Sequence, residues 1–448
     1  MARAPNLLLL FPDQWRGDWL GCAGEGIPVS TPNIDALAAR GMRFPEARTN
    51  SPLCATARAC LATGMRYPAA GVAGNRADLP GDAPSFFRLL RDAGYAVATC
   101  GKNDLRKPSF VAGAADSDGR LAAYGFTDIR EHAGKRDAAL MMIERRPDRY
   151  GRFLADNDAI DLYLRDMATR DMLRTKENIV SGAAHLLPRA LYTDDFCGGD
   201  ALALLETLPR DRPWLLWVNF PGPHEPFDPP AELLGAYDGV RFPDPVAPGR
   251  DDRSDHQAVR RAYAAMMSGI DFWVGRILDA VAARGDAAHT LAVFASDHGE
   301  TLGDHGRWGK SVPLDGALRI PLVVAGPGVR AGIASPARAE LADIAATLLD
   351  AAGIALPSGH AARSLAPVLR GDANPDDHRS HQFFALDDWR GVIFDGYKAV
   401  RLGDGRVVLY DRSRDPGELT DCAASLPRTA AYLGAWLARY PEPPAACV

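Results

Sequence analysis

Three separated segments of the sequence carry side chains suited to metal binding and nucleophilic chemistry. Asp13 follows an apolar run and offers a carboxylate, a ligand type that hard cations prefer. Cys54 precedes a helix-forming stretch whose dipole favours an anion, and Arg58 lies four residues later on the same face. Asp297 and His298 open a group of carboxylates and imidazoles set between glycines, which favours a metal site over an ordinary turn.

Three further positions add positive charge or hydrogen-bonding capacity. Lys102 lies in Gly-Lys-Asn-Asp, His224 in Pro-His-Glu-Pro-Phe, and Lys310 beyond the group that starts at Asp297. Each feature alone has an ordinary explanation: Asp13 as a loop residue or helix cap, Cys54 as a buried structural thiol, and the cations as solvated loop residues. The combination matters because these side chains follow predicted strands, the edge at which open α/β sheets bind ligands.

The elements that would position these residues alternate between strand and helix. Short apolar runs predict strands at residues 7–11, 95–100, 214–220, 290–295 and 321–325. Helical periodicity predicts helices around residues 31–40, 54–63, 85–93, 259–284 and 341–352. This order predicts an α/β fold with a mostly parallel sheet flanked by helices.

The domain organisation follows from two changes in the composition and apolar periodicity of the sequence. Residues 106–190 are rich in Arg and Asp with weak apolar periodicity, and we interpret them as an insertion or a set of long loops in a catalytic domain that spans residues 1–380. Residues 381–448 contain alternating short strands at 391–394, 397–402 and 406–410, separated by Asp-Gly and Gly-Asp-Gly turns. This part predicts a small C-terminal antiparallel subdomain.

Composition excludes several classes of protein. A formal net charge of −6 over 448 residues argues against a nucleic-acid binder, which would show a basic excess. Because apolar runs are only of strand length, the sequence predicts no membrane span and no signal peptide. Seven scattered cysteines without a Cys-x-x-Cys pair argue against a disulfide framework and favour a cytoplasmic location. A homo-oligomer is compatible with the sequence.

Read in order, these motifs resemble those of the sulfatases of the alkaline phosphatase superfamily. The matching order is Asp13 after the first strand, Cys-x-x-x-Arg-x-x-Leu-x-Thr-Gly from Cys54, Gly-Lys at 101–102, Pro-His-x-Pro-Phe around His224, Ser-Asp-His-Gly-Glu at 296–300, then Lys310 and Arg-Ile-Pro at 319–321. His298 resembles the choline-sulfatase and phosphonate monoester hydrolase branches. The resemblance implies an alkaline-phosphatase-like fold.

The resemblance also implies a role for each site residue. Cys54 would be converted to formylglycine by a formylglycine-generating enzyme, and its hydrated aldehyde would supply the nucleophile. A divalent metal (calcium, manganese or magnesium) would be bound by the four residues Asp13, Gln14, Asp297 and His298. Arg58 would steady this centre. Four residues would face the substrate anion or its leaving group: Lys102, Asp104, His224 and Lys310.

The chain differs from the family pattern at three positions. Thr56 stands where family members usually carry Pro, and Ala57 stands where they often carry Ser. Asp104 stands where they commonly carry the His of a Gly-Lys-x-His motif. A carboxylate cannot replace an imidazole as a cationic partner of sulfate, so Asp104 would serve another purpose, for example contact with a cationic substrate group.

Three functions therefore remain. The first is a formylglycine-dependent hydrolase of a small soluble sulfate ester, and the second is a phosphonate monoester or phosphodiester hydrolase on the same scaffold. The third is a sulfatase-like binding protein without hydrolytic activity.

Overall fold

A computed structural model describes residues 4–107, 117–173, 181–249 and 254–440 of the chain. Its main sheet has eight strands: β1 (Asn6–Leu10), β2 (Met42–Arg43), β3 (Ala96–Gly101), β4 (Asp128–Glu131), β5 (Trp214–Asn219), β6 (Thr290–Ala295), β7 (Leu322–Ala325) and β8 (Ile333–Ala334). They lie in the order β4-β3-β5-β1-β6-β7-β2-β8. The five strands from β4 to β6 in this order are mutually parallel, and β7 runs antiparallel to β6. The predicted α/β class is confirmed.

Within the described residues the chain forms fourteen helices, and part of this set covers the two faces of the sheet. The helices are α1 (Pro32–Ala39), α2 (Cys54–Thr63), α3 (Phe86–Asp92), α4 (Ser117–Ala123), α5 (Lys135–Ile143), α6 (Arg149–Asp156), α7 (Ile160–Leu173), α8 (Thr193–Thr207), α9 (Ala231–Gly235), α10 (His256–Ala283), α11 (Asp315–Leu318), α12 (Asp343–Ala351), α13 (Ala366–Arg370) and α14 (Pro427–Ala438). Helices α2, α3 and α12 pack on one face, and α1, α8 and α10 pack on the other.

The central strand β1 shows why the sequence folds in this way. Its side chains alternate between faces, so Leu7 and Leu9 join one hydrophobic core while Leu8 and Leu10 join the other. A strand buried on both faces needs an uninterrupted apolar run, and that run is what the sequence shows. The strands predicted around residues 95–100, 214–220, 290–295 and 321–325 are confirmed as β3, β5, β6 and β7, with ends shifted by at most one residue.

The long loops considered for residues 106–190 are not what the structure shows within its described part. Residues 117–173 form helices α4 to α7 together with the edge strand β4. Helices α5, α6 and α7 enclose a small core of their own, in which Met141, Tyr150 and Tyr163 are buried. The apolar periodicity is weak in the sequence because the buried positions of α5 mix Lys135 and two alanines with two methionines.

The predicted C-terminal antiparallel sheet is confirmed, with four strands rather than three: β9 (His381–Leu386), β10 (Trp389–Phe394), β11 (Tyr397–Arg401) and β12 (Val407–Asp411). Strand β9 escaped prediction because Gln382 is buried while Phe383 is only partly buried, so burial does not follow an alternation of hydrophobic and polar residues. Helix α14 packs against this sheet.

The second sheet is tied to the segment that leads into α2. The Ala385 amide donates to the Asn50 carbonyl (3.0 Å), and the Gln382 side chain donates to the Glu46 carbonyl (2.7 Å). Arg48, fully buried, donates to the Gln382 side-chain oxygen (3.1 Å). The eight residues before Cys54 are therefore held partly by the C-terminal sheet.

No helix within the described ranges combines the length and apolar character required to cross a membrane.

Candidate active site

Four parallel strands deliver polar side chains to one edge of the main sheet. Asp13 follows β1, Lys102 follows β3, His224 follows β5 and Asp297 follows β6. Since the carboxyl ends of parallel strands share one edge, loops from distant parts of the sequence meet there. The structure thus brings these four predicted residues to one place.

Cys54 is the first residue of α2, as predicted, and its side chain points toward that edge. All ten residues of α2 are buried, and Gly64 ends the helix in the left-handed conformation at φ 66°. Thr56 stabilises the entry to the helix, because its hydroxyl donates to the Leu53 carbonyl (2.9 Å) and lies 2.7 Å from the Ser51 hydroxyl oxygen. A hydroxyl at this position thus supports the helix start.

Four potential ligand atoms converge at the centre of the site. One atom each from Asp13, Cys54, Asp297 and His298 lies within 4.8 Å of all the others, and all four residues are buried. The Cys54 sulfur is 3.3 Å from His298 Nε2 and 3.8 Å from Asp13 Oδ1. His298 Nδ1 lies 2.9 Å from the Gly299 carbonyl and donates to it, so Nε2 presents its lone pair to the cluster.

Arg58 binds the outer side of this cluster. Its guanidinium donates to Asp297 Oδ2 (3.0 Å) and Asp13 Oδ2 (3.1 Å), and also to the Asn219 side chain (2.8 Å) and the Lys102 carbonyl (2.6 Å). The guanidinium therefore fixes both carboxylates in orientation. Arg58 is itself fully buried.

The Gln14 side chain is hydrogen-bonded through both of its polar groups, and its role as a metal ligand stays a prediction. Its side-chain oxygen accepts from Lys310 Nζ (2.5 Å), and its amide nitrogen donates to Glu300. Both polar groups of the side chain therefore have a protein partner. The main-chain amide of Gln14 donates to Asp297 Oδ1 (2.9 Å), so the residue supports the cluster through its backbone.

Lys310 and His224 lie side by side in the site. His224 Nδ1 lies 2.7 Å from the Glu225 carbonyl and donates to it, so Nε2 accepts a hydrogen bond from Lys310 Nζ. Both residues are partly exposed, whereas Asp13, Cys54, Asp297 and His298 are buried. The opening of the site therefore lies beside Lys310 and His224.

Asp104 is neutralised by two lysines. Its Oδ2 lies 2.9 Å from Lys102 Nζ and 2.9 Å from Lys107 Nζ, and the side chain is 4% exposed. Burial opposes ionisation, but the two ammonium groups outweigh it and hold the pKa of Asp104 below its ordinary value. Contact with a cationic substrate group, the example considered from the sequence, is disfavoured because two cations already occupy the carboxylate.

The two central carboxylates have opposite electrostatic surroundings. Burial opposes the ionisation of Asp13, but Lys102, Arg58 and Lys310 lower its pKa well below the ordinary value. Burial raises the pKa of Asp297, and the charge of Asp13 raises it further. Like-charged ligands that repel one another in a buried site would be stabilised by a divalent cation, so the donor set fits a metal centre.

The Cys54 thiol and the His298 imidazole are also perturbed. Burial and Asp13 oppose ionisation of Cys54, but Lys102, Lys310 and His298 hold its pKa well below the ordinary value. Burial opposes the cationic form of His298, yet Asp297 raises its pKa. The site is therefore arranged to hold negative charge at position 54.

Several supporting residues were not found from the sequence. Lys135, the first residue of α5, pairs with the buried Asp228 and donates to the Pro226 carbonyl (3.1 Å), behind the loop that carries His224. Glu300 belongs to a motif that the sequence singled out, but its role in holding Gln14 depends on a fold contact. No local signal marks Lys135 or Asp228, which lie 93 positions apart.

Comparisons with known proteins match the chain over most of its length. A family model described as Sulfatase matches residues 5–354, and one described as N-sulphoglucosamine sulphohydrolase, C-terminal, matches residues 303–430. A choline-sulfatase of Rhizobium meliloti is 28% identical, with 94% of this chain and 82% of that protein covered. An arylsulfatase of Clostridium perfringens is 26% identical, with 93% of this chain and 90% of that protein covered.

Solved structures show the same architecture. The phosphonate monoester hydrolase of Agrobacterium radiobacter superposes with a TM-score of 0.78 at 25% identity, covering 96% of this chain and 94% of that one. The phosphonate monoester hydrolase from Silicibacter pomeroyi superposes with a TM-score of 0.80 at 23% identity, covering 97% and 95%, and is similar in fold. The predicted resemblance is confirmed: this chain belongs to the sulfatase family.

Proposed function

We propose that the protein hydrolyses the sulfate ester of a small soluble substrate with a formylglycine derived from Cys54. The observation that carries this proposal is the position of the Cys54 side chain, at the first turn of α2 and against Asp13 and His298. Relatives named choline-sulfatase and arylsulfatase support it. When present, formylglycine supplies a hydrated aldehyde whose oxygen is the nucleophile.

Asp13, Asp297 and His298 are the residues we propose as metal ligands. The cation would be calcium, magnesium or manganese, and it supplies charge neutralisation and orientation at the nucleophilic oxygen. Gln14 is omitted from this set because both polar groups of its side chain already have a protein partner. Arg58 holds the two carboxylates in place from behind.

The cations of the site bind and orient the tetrahedral anion. Lys102 and Lys310 approach the Cys54 side chain closely enough to dominate its electrostatic stabilisation, and a sulfate group attacked there would lie between them. His224 Nε2 accepts a hydrogen bond and carries no proton, because Nδ1 donates to the Glu225 carbonyl. We therefore assign proton donation to the leaving oxygen to Lys310 rather than His224.

A second candidate is hydrolysis of a phosphonate monoester or phosphodiester. The observation that favours it is the structural match to a phosphonate monoester hydrolase over 96% of this chain at 25% identity. Sulfate and phosphonate esters present anions of similar shape, so the same cations would bind either. The two candidates differ in the charge that the site must neutralise.

We also propose a cytoplasmic location. Six cysteines are free thiols within the described residues, and five of the six lie outside the proposed nucleophile position. A reducing compartment suits free thiols in this number. The experiment is fractionation of cells that express the full chain. Recovery of the protein in an oxidising compartment or in the medium would contradict the cytoplasmic location.

The deciding experiment combines mass spectrometry with turnover. The protein is produced with and without a formylglycine-generating enzyme, and the mass of the peptide containing Cys54 is measured. We expect the aldehyde in the first sample, together with hydrolysis of an aryl sulfate that the second sample lacks. Cys54→Ala is the inactive control, and Cys60→Ala, in the same helix, is the matched control that should stay active.

The three functions give different results in this experiment. Turnover of an aryl phosphonate ester at a rate orders of magnitude above that of the aryl sulfate would favour the second candidate. An unmodified thiol in protein made with the modifying enzyme, together with no turnover of either ester, would favour a binding protein without hydrolytic activity.

A further inference from the structure

We propose that a chain whose Cys54 remains a thiol binds a thiophilic divalent cation such as Zn²⁺ through Cys54, Asp13, Asp297 and His298. Conversion of Cys54 to formylglycine then changes the metal preference of the centre toward cations that favour oxygen ligands. The inference rests on the metal centre of the proposed function, but it concerns the unconverted chain, which that function leaves aside.

The spacing of the four ligand atoms matches a tetrahedral site. The Cys54 sulfur lies 3.3 Å from His298 Nε2 and 3.8 Å from Asp13 Oδ1, while Nε2 lies 3.7 Å from Asp297 Oδ2 and 3.9 Å from Asp13 Oδ1. Zinc bonds of about 2.0–2.3 Å in a tetrahedron separate neighbouring ligand atoms by roughly 3.3–3.7 Å. These four of the six distances among the ligand atoms lie within a few tenths of an ångström of the tetrahedral values.

Three of the four ligands are already oriented by neighbours, and one of them is Asp297, whose Oδ2 accepts from Arg58 Nε (3.0 Å). His298 Nδ1 donates to the Gly299 carbonyl, which leaves the Nε2 lone pair directed at the sulfur. Arg58 and Lys102 bind Asp13 through Oδ2, so Oδ1 is the oxygen that faces the cluster. Such outer hydrogen bonds fix the tautomer and the orientation of metal ligands in zinc sites.

The charges also fit a divalent ion. A thiolate and two carboxylates carry three negative charges, and Arg58 and Lys102 contribute two positive charges within the same contact network. One divalent cation would therefore leave the buried group with a single positive charge. Without it, the excess is a single negative charge, and Asp13 and Asp297 repel each other.

The donor types determine which cation is preferred. A sulfur and an imidazole among four ligands favour zinc or cobalt over calcium, which takes six to eight oxygen ligands. Exchange of the sulfur for an aldehyde hydrate oxygen removes the soft donor and leaves oxygen and one nitrogen. The same three protein side chains thus serve two centres, and the chemical state of residue 54 distinguishes them.

The test uses Co²⁺ as a spectroscopic probe of full-length protein made without the modifying enzyme and stripped of metal by a chelator. We expect one equivalent of Co²⁺ to bind with the intense visible bands of tetrahedral cobalt and a sulfur-to-cobalt charge-transfer band, and Zn²⁺ to displace it. Cys54→Ser should lose the charge-transfer band and bind Zn²⁺ at least about 100-fold more weakly, since loss of even an outer partner costs 10–100-fold. The matched control Cys60→Ala should keep both properties.

The outcomes separate this inference from the proposed function. Co²⁺ binding without a charge-transfer band, or a band that persists in folded Cys54→Ser, overturns the inference and leaves the proposed function intact. Failure of both the thiol and the formylglycine forms to bind any divalent cation would remove the metal centre of the proposed function as well. Circular dichroism of each variant establishes that a lost band does not reflect unfolding.

Discussion

Replacement of Glu300 by Gln should reduce catalysis through a chain of hydrogen bonds that ends at Lys310. Glu300 accepts from the amides of Leu302 (3.0 Å) and Gly309, and from the side-chain amide of Gln14. In Glu300→Gln, an NH₂ group would face the NH₂ group of Gln14. Gln14 can relieve this contact by turning its amide over, which would place a donor against the ammonium of Lys310.

The magnitude follows from the bond that is lost. Lys310 loses its contact with the Gln14 oxygen, a hydrogen bond of 2.5 Å to a charged donor. Hydrogen bonds to charged groups contribute about 1.5–3 kcal/mol. If this energy positions Lys310 in the transition state, kcat/KM should fall roughly 10- to 150-fold.

A double-mutant cycle tests whether Glu300 acts through Gln14. The assay is kcat/KM of the converted enzyme for an aryl sulfate, or an aryl phosphonate ester if that is the better substrate, with Glu300→Gln, Gln14→Met and the pair. We expect the pair to be no worse than the poorer single variant. If the losses of the two single variants add up to that of the pair within about 0.5 kcal/mol, Glu300 does not act through Gln14, because independent sites behave in that way.

A control separates positioning from general destabilisation. Glu340 is another buried carboxylate, paired with Arg66 at 2.7 Å beyond the far end of α2. Glu340→Gln should lower the free energy of unfolding while kcat/KM of the folded enzyme stays within about twofold of the parent, well under 1 kcal/mol. If Glu340→Gln loses as much activity as Glu300→Gln, removal of any buried carboxylate charge has the same effect, and the position of Glu300 is not special.

Three further predictions concern residues around the same edge of the sheet. Arg58→Lys keeps the charge but cannot make four hydrogen bonds, so Mn²⁺ affinity by titration calorimetry should fall about 10- to 100-fold, while the matched Arg66→Lys leaves it unchanged. Asp104→Asn leaves Lys102 and Lys107 without their shared carboxylate. The free energy of unfolding should therefore fall by about 3–5 kcal/mol in denaturant titrations. An unchanged value would show that water replaces the carboxylate. Burial raises the pKa of Asp194 to about 7, so the folded state holds a proton that the unfolded state has released, and stability should decline as pH rises from about 4 to about 7. Asp194→Asn should remove up to about 4 kcal/mol of that decline, measured by chemical unfolding at several pH values, and a profile like that of the parent would contradict the assignment.

The sequence allowed prediction of those site residues that are tied to buried strands. Asp13, Lys102 and Asp297 each come within three residues of the end of a strand whose apolar run is readable, because burial on both faces leaves no room for polar side chains. Their convergence then follows from parallel pairing. The position of Cys54 at a helix start was predictable for a similar local reason.

Contacts between distant loops were not predictable in the same way. Nothing beside Gln14 in the sequence indicates that its side chain would turn toward Lys310, 296 positions away. The partners of Asp104 are close in sequence, at Lys102 and Lys107, but the pattern of this loop does not indicate that both ammonium groups meet one carboxylate oxygen. Both differences come from side-chain partners that only the folded chain defines, whereas strand ends follow from local pattern.

The contacts between the C-terminal sheet and residues 46–50 set an order of events during synthesis. The Ala385 amide that binds Asn50 belongs to a strand made about 330 residues after Cys54. At about 5–20 residues per second, roughly 15–65 seconds pass before those contacts can form. The segment around Cys54 spends that interval without its final partners, which is the period in which an enzyme could still reach a side chain that is 1% exposed in the finished fold.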